Sequence, residues 1–497
     1  MLGLAAGACS PDIRNDLVFD PSTSSTTEPL PAETTTGPVD PTTSTGSTGS
    51  TGEIADTSTS TTAPAESSNS TAPAEESSST TSDEPAVCGN AVHEPGESCD
   101  DGNDVNNDGC SNDCGTPGNG VWSTFYAGFM GVDDTAQGVA IDGSGNIVLV
   151  GITGPDVRIA KYDPAGGQLW QVLYDAGLLL SDFAYDVAID SNDEIVVTGS
   201  IYVDTYDLWL AKYDEDGVQQ WSETHPGPVA STDRGFALQI DDADDIYVGG
   251  YEIVSGQGRN AWLGKYTPQG NLIWSQSHDG IATDGDELAS IDFDVDGNIV
   301  AAGVTAIEGE DNNILLTKWD PDGNPIWILD YDGPNGTNDR ALGIGATPDG
   351  GMIVVGATQA FVNVLGNPVW DMWIGKFDGD GGLEWEQLID GPLVGEDIAE
   401  EVEVDSLGNF IVVGTLAVDE DVPNTVINGQ PPQRRGWVRK YDPEANELWT
   451  YDFGPQNRWT WAFDLGLEAD DDIFVAGQNT QVDAQADPDM FLLKLSP

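Results

Sequence analysis

The chain has 497 residues, of which 86 are Asp or Glu and only 16 are Lys or Arg, giving a net charge of −70. Such an imbalance argues against nucleic acid and other polyanions as partners of the surface as a whole, and favours divalent cations, high salt or cationic partners. No apolar stretch approaches the roughly 20 residues that a membrane span requires.

Near the N-terminus, Cys9 follows LGLAAGA and precedes Ser10. A short apolar run ending in small residues before a lone cysteine resembles a bacterial lipoprotein signal, cleaved before the cysteine, which then carries the lipid. The resemblance implies that residues 1–9 are a signal segment, truncated if the true start lies upstream of Met1. It also implies an outer-membrane or cell-surface protein held to the membrane through its lipid anchor only. A plain secretory signal with Cys9 as a spare thiol, and hence a secreted protein, is the other reading. Residues 10–86 follow as a Ser/Thr/Pro-rich acidic linker. No aromatic residue occurs between Phe19 and Trp122, so this stretch cannot offset the entropy of ordering and is expected to be a disordered stalk. As a flexible coil it would span roughly 40–50 Å.

Residues 87–115 hold Cys88, Cys99, Cys110 and Cys114. So small a segment with four cysteines reads as a disulfide-rich domain from an oxidising compartment, with three connectivities open. CxxC pairs and suitably spaced histidines, which a zinc site would need, are not in it. Its succession of CGN, GE, CDDGN, NNDGC and a last Cys resembles the myxobacterial-type cysteine-rich repeat. Within it, DVNNDG (104–109) has the spacing of the first half of an EF-hand loop, with Asp104, Asn106 and Asp108 as oxygen donors. The expected cofactor is therefore Ca2+; the alternative is an Asx-rich turn stitched by disulfides.

From 121 to 497 the sequence repeats. Every lysine of the chain (Lys161, Lys212, Lys265, Lys318, Lys376, Lys440 and Lys494) occupies the same place in the repeat, and nine residues after each of the first six stands a tryptophan. Trp122 is a seventh, unpaired. An apolar run closing on glycine follows each tryptophan at 28 or 29 residues: Gly151, Gly199, Gly249, Gly303, Gly356, Gly414 and Gly477. Each unit reads as four short strands, a to d from the axis outward, joined by tight turns such as DGSGN (142–146). The last unit stops before its own strand d, which Val121–Tyr126 would supply. The fold class is therefore all-β: a seven-bladed β-propeller closed by an N-terminal strand and preceded by the small disulfide-rich domain and the stalk. The stretch DDTAQGVAIDGSGNIVLVG (133–151) resembles the SBBP-type bacterial propeller repeat, which implies an extracellular propeller and no particular activity.

Twelve residues after six of the tryptophans stands an aspartate that enters strand a from the crossover between blades: Asp134, Asp182, Asp233, Asp286, Asp339 and Asp397. Each is expected to reach a strand-c lysine, giving one ion pair per blade.

Function should lie where the blades differ. The separation from the strand-b glycine to the strand-c lysine runs 10, 13, 16, 15, 20, 26 and 17 residues around the ring, whereas lysine to tryptophan is always nine. The b–c loops and d–a crossovers share one face, the candidate binding surface. Arginines collect there: Arg234, Arg340 and Arg458 in crossovers, and Arg259, Arg434 and Arg435 in b–c loops. Trp459 and Trp461 join them. Arginine with exposed aromatic residues suits a sugar or protein partner; the competing reading is that these arginines only neutralise aspartates while the aromatics pack between loops. The three histidines, His93, His225 and His278, assemble no nucleophile, base and orienter. The expectation is a non-catalytic, monomeric surface propeller that binds an extracellular polysaccharide or protein and no nucleic acid. The alternative is a polysaccharide-degrading lyase or glycosidase on the same face.

Overall fold

The computed structural model describes residues 118–497 except 129–133, 178–179, 281–284, 308–310, 363–367, 390, 392–394, 419–432, 455–457, 469–470 and 482–487. Cys9, the linker and the cysteine-rich segment lie outside the described residues, so the lipidation, disulfide and calcium expectations at Cys9, Cys88, Cys99, Cys110, Cys114, Asp104, Asn106 and Asp108 have no structural counterpart here.

Seven four-stranded antiparallel sheets form the blades. In blade 1 the strands are Asp134–Ile141, Ile147–Thr153, Asp156–Tyr162 and Gln168–Tyr174. Blade 7 takes three strands from the end of the chain and its fourth, Gly120–Tyr126, from before blade 1, with Trp122 opposite Lys494. The free edge that an open ring would present is thereby removed. Arg158 of blade 1 pins the seam: its guanidinium lies 3.9 Å from the Tyr126 ring centroid and donates to the Tyr162 hydroxyl and Gln168 Oε1.

Each strand a carries a bulge opposite the strand-b glycine. The bulge brings a strand-a carbonyl so close that a Cβ on Gly303 would stand 2.0 Å from the Glu287 oxygen, and the other six blades repeat the contact at 1.9–2.1 Å. Glycine is therefore required for space. In blade 3 the residue that meets the Arg234 carbonyl is Gly250, which corrects the expected Gly249 by one position.

The ion pairs also differ from expectation. The lysines do not reach the crossover aspartates; they pair with acids of the a–b turns at the opposite end of strand a. Lys161 Nζ lies 2.8 Å from Asp142, Lys318 2.8 Å from Asp294 and Lys440 3.0 Å from Asp405. Burial pushes the Asp142 carboxyl up, but Lys161, Asn146 and the turn N–H groups outweigh it and hold it below its ordinary value. The crossover aspartates instead staple backbone. Asp286 accepts the Gly280 N–H, the Thr305 hydroxyl and the Ala306 N–H, at 2.7, 2.8 and 3.0 Å, tying the crossover to the end of strand b.

The tryptophans join neighbouring blades. Trp170 Nε1 donates to the Glu215 carbonyl at 2.9 Å and Trp274 Nε1 to that of Pro321 at 3.1 Å. Each ring covers a left-handed glycine in the c–d turn of the next blade, such as Gly217 under Trp170 and Gly323 under Trp274. Blade 6 has Ala445 in this place, at φ 64°, in the cluster that includes Trp385. Blade 7 has no c–d turn, and the chain ends imitate one. Gly118, at φ 70°, lies under Trp449; its N–H donates to the Ser496 carbonyl, and the Ser496 N–H to that of Asn119. The chain thus joins the propeller on the face of the constant turns, opposite the variable loops.

Two substitutions test these constraints in opposite directions. Ala445→Gly relieves a left-handed alanine and is expected to stabilise the propeller by about 0.5–1 kcal/mol. Gly303→Ala forces the inner bulge apart and is expected to cost about 3 kcal/mol. Denaturant midpoints at constant slope would show both.

Candidate functional site

On the variable face, the b–c connections of blades 5 and 6 are the longest in sequence. In blade 5, strands b and c extend to Met352–Val362 and Pro368–Phe377; in blade 6 they run Phe410–Val418 and Gln433–Tyr441. At the top of the blade 5 hairpin, Phe361 is 47% exposed, with Val362 beside it more exposed still.

Four of the eight candidate residues form one ladder across blades 5, 6 and 7. The Arg340 guanidinium lies 4.4 Å from the Trp370 ring centroid. The Trp370 backbone accepts the Asp397 N–H at 2.9 Å and donates to Gly395 at 3.3 Å, which fixes Glu396 between them. Glu396 pairs with Arg434. The Arg434 guanidinium lies 5.4 Å from the Trp461 ring, and Trp461 meets Trp459 edge-on at 5.9 Å. Cations and aromatic faces alternate, an arrangement that holds its own charge in place while offering flat rings and N–H donors to a ligand. Arg434 and Trp459 are half-buried, whereas Arg340 is 7% and Trp461 also 7% exposed. Of these four, Arg434 and Trp459 are therefore the ones a ligand can touch.

The other candidates are not brought into this ladder. Arg234 is 7% exposed and enclosed by the rings of Phe183, Tyr185 and Tyr206, donating to the Tyr185 hydroxyl at 2.8 Å. Arg259 lies over Tyr251 and pairs with Glu287 at 2.8 Å. For these two, neutralisation and packing prevail over ligand contact. Arg435 is half-buried opposite Leu416. Arg458 opens the inner strand of blade 7, with its side chain outside the described residues.

One cluster was not anticipated. In blades 1, 4 and 5 a threonine stands two residues beyond the strand-b glycine, Thr153, Thr305 and Thr358; blade 3 has Glu252 there, beside Asp233. Asp233 is fully buried and accepts the Ile253 N–H at 2.7 Å, while its Oδ2 makes no hydrogen bond. His225 Nε2 lies 3.7 Å from Glu252, and its ring meets that of Trp262 at a tilt of 36°, with centroids 4.8 Å apart. Burial, and then the Glu252 and Asp207 charges, push the Asp233 carboxyl up to about 7 despite the Ile253 N–H and His225. The sequence carried the signal: Glu252 occupies the threonine position once Gly250, and not Gly249, sets the register.

Among the described residues, no group of three or more His, Cys, Asp and Glu side chains is arranged to hold a metal directly, and no helix is long and apolar enough to cross a membrane.

No protein-family model matches the chain, and no curated protein matches it. Among solved structures it is similar to polysaccharide lyase Uly1, at 11% identity over 75% of this chain and 92% of that one, with a TM-score of 0.47. It is similar also to quinohemoprotein alcohol dehydrogenase from Comamonas testosteroni, at 11% identity over 76% of each chain and a TM-score of 0.46. A third is the periplasmic gluconolactonase PpgL of Pseudomonas aeruginosa, at 13% identity over 64% and 85% and a TM-score of 0.42. Likeness at this level carries no chemistry. The seven-bladed assignment rests on the chain's own sheets.

The Asp233 cluster gives a pH dependence of known sign. The folded state binds the Asp233 proton more tightly than the unfolded chain does, so its contribution favours folding at acid pH. That contribution is lost as pH rises from the ordinary value of 3.8 through about 7. Asp233→Asn is expected to be more stable than the parent at pH 8 and to lose most of that advantage by pH 5. Unfolding midpoints at the two pH values measure it, and an equal difference at both would contradict the assignment.

Proposed function

We propose that this protein is a non-catalytic recognition propeller of the cell surface. In this reading it is anchored through Cys9, held off by the 10–86 linker, and grips an extracellular polysaccharide or protein with the rim of blades 5, 6 and 7. The observation that carries the reading is the Arg340–Trp370–Glu396–Arg434–Trp461–Trp459 ladder lying beside the two longest b–c hairpins. A polysaccharide-degrading activity would need a carboxylate with a raised proton affinity within reach of a polymer. Asp233 has the affinity but is fully enclosed; Asp156, half-buried and raised by burial and then by Asp175, belongs to blade 1, outside the ladder.

The test is binding of the full chain to arrayed neutral and acidic glycans and to surface proteins. Trp459→Ala and Arg434→Ala are each expected to weaken binding about 10-fold or more, roughly 1.4 kcal/mol, with unfolding midpoints near those of the parent. Arg234→Lys is expected to leave affinity unchanged. Binding that survives both rim substitutions would overturn the assignment of the site.

A further inference from the structure

The innermost strands of all seven blades surround an axial cavity of about 260 Å3. Five carboxylates face it: Asp186, Glu401 and Asp464 in the row nearer the variable face, and Asp292 and Glu403 in the row below. No lysine, arginine or histidine is among the residues that line it.

Some of these acids have structural work. Asp186 accepts the Leu238 N–H, Asp464 that of Val139 and Asp292 that of Ala346, each at 2.7 Å and each from the next blade. Charge is not needed for that role, because Ser290 does the same for the Ile344 N–H at 3.3 Å. Glu403 bridges to no neighbouring blade; it receives the Val404 N–H of its own strand. Burial, then the charges of Asp292, Asp464 and Asp186, hold it well above its ordinary value. Asp292 and Glu403, with raised proton affinity, thus bring acid to a cavity whose lining holds no cation.

Gln137 indicates what would suit the cavity. It lines the same cavity, is 5% exposed, and its Nε2 makes no hydrogen bond. A bare cation could satisfy the carboxylates but not this donor, and the acids are not arranged to ligate one directly. Water can do both, donating to carboxylates and accepting from the amide. A six-water shell, at roughly 30 Å3 per water, needs about 180 Å3, which the cavity provides. We propose that the axial cavity holds a divalent cation with its water shell intact, the waters hydrogen-bonding Asp292, Glu403, Asp186, Glu401 and Asp464 and accepting from Gln137. Magnesium, which dehydrates reluctantly, suits such a site better than calcium, which takes protein oxygens directly.

The experiment titrates the full chain with Mg2+ at constant ionic strength, by calorimetry and by thermal unfolding against a chelator reference. A variant losing two exposed turn charges, Asp320→Asn with Asp442→Asn, controls for cation binding at the acidic surface. The parent and this control are expected to show one saturable site and a Tm rise of at least about 2 °C. Glu403→Gln, alone or with Asp292→Asn, is expected to raise Tm in chelator and abolish both the site and the Mg2+ response. Gln137→Leu is expected to weaken the site about 10-fold. Absence of a saturable site in the parent, or an undiminished response in both Glu403 variants, would overturn the proposal and leave protonation alone as the balance of charge.

Discussion

The contact on which the ring depends is the indole of one blade laid over the turn glycine of the next. It sets the spacing and rotation between blades, and it uses only strand d and the c–d turn. The lysine-to-tryptophan interval across the c–d hairpin is therefore constant in blades 1 to 6, since its length places the indole and the turn that each joint uses. The b–c loops take no part in the joint and have varied freely. The closure at Gly118 and Trp449 shows how strict the requirement is. With no turn available, residues 118–119 and Ser496 reproduce its hydrogen bonds and its left-handed glycine.

Much of this was legible in the sequence because it is periodic. Lys161 and Trp170 are cross-strand partners, as are Lys212 and Trp221, so the interval of nine is the length of a hairpin measured from one rung to itself. The closing strand was legible for the same reason: Trp122 stood opposite Lys494 once the register was extended. The acid partner of each lysine was not. Asp134 and Asp142 sit at opposite ends of one strand, some 25 Å apart at about 3.3 Å per residue, and the spacing alone did not say which end the ammonium faces. Gly249 and Gly250 failed to separate for a similar reason, since only the close approach of the Arg234 carbonyl distinguishes them. Among the arginines, sequence position could not tell a loop tip from the first residues of a strand. Arg234, Arg259, Arg340 and Arg434 all stand at the starts of strands; the first three are buried and Arg434 is half-buried.

The charge of the chain takes on a different meaning in three dimensions. Its few cations are largely consumed inside the propeller, the lysines on turn acids and the arginines on aromatic rings and glutamates. Raised proton affinity is left at crossover acids such as Asp233 and Asp339 and, on the axis, at Asp292 and Glu403. The turn aspartates have theirs lowered, Asp349 to about 2 through Lys376 and Thr347. The turn acids therefore contribute stability that is lost as pH falls, whereas the raised carboxyls at Asp233 and on the axis contribute stability that is lost as pH rises.

The central claim is a division of labour, with stability in the invariant joints and recognition in the rim. Replacing Arg434 and Trp459 together by alanine tests it in one variant, read by unfolding midpoint and by retention on the polymer or protein that the parent binds. The account predicts a Tm within about 2 °C of the parent, since no joint is touched, together with loss of binding. A large fall in Tm with binding retained would contradict it.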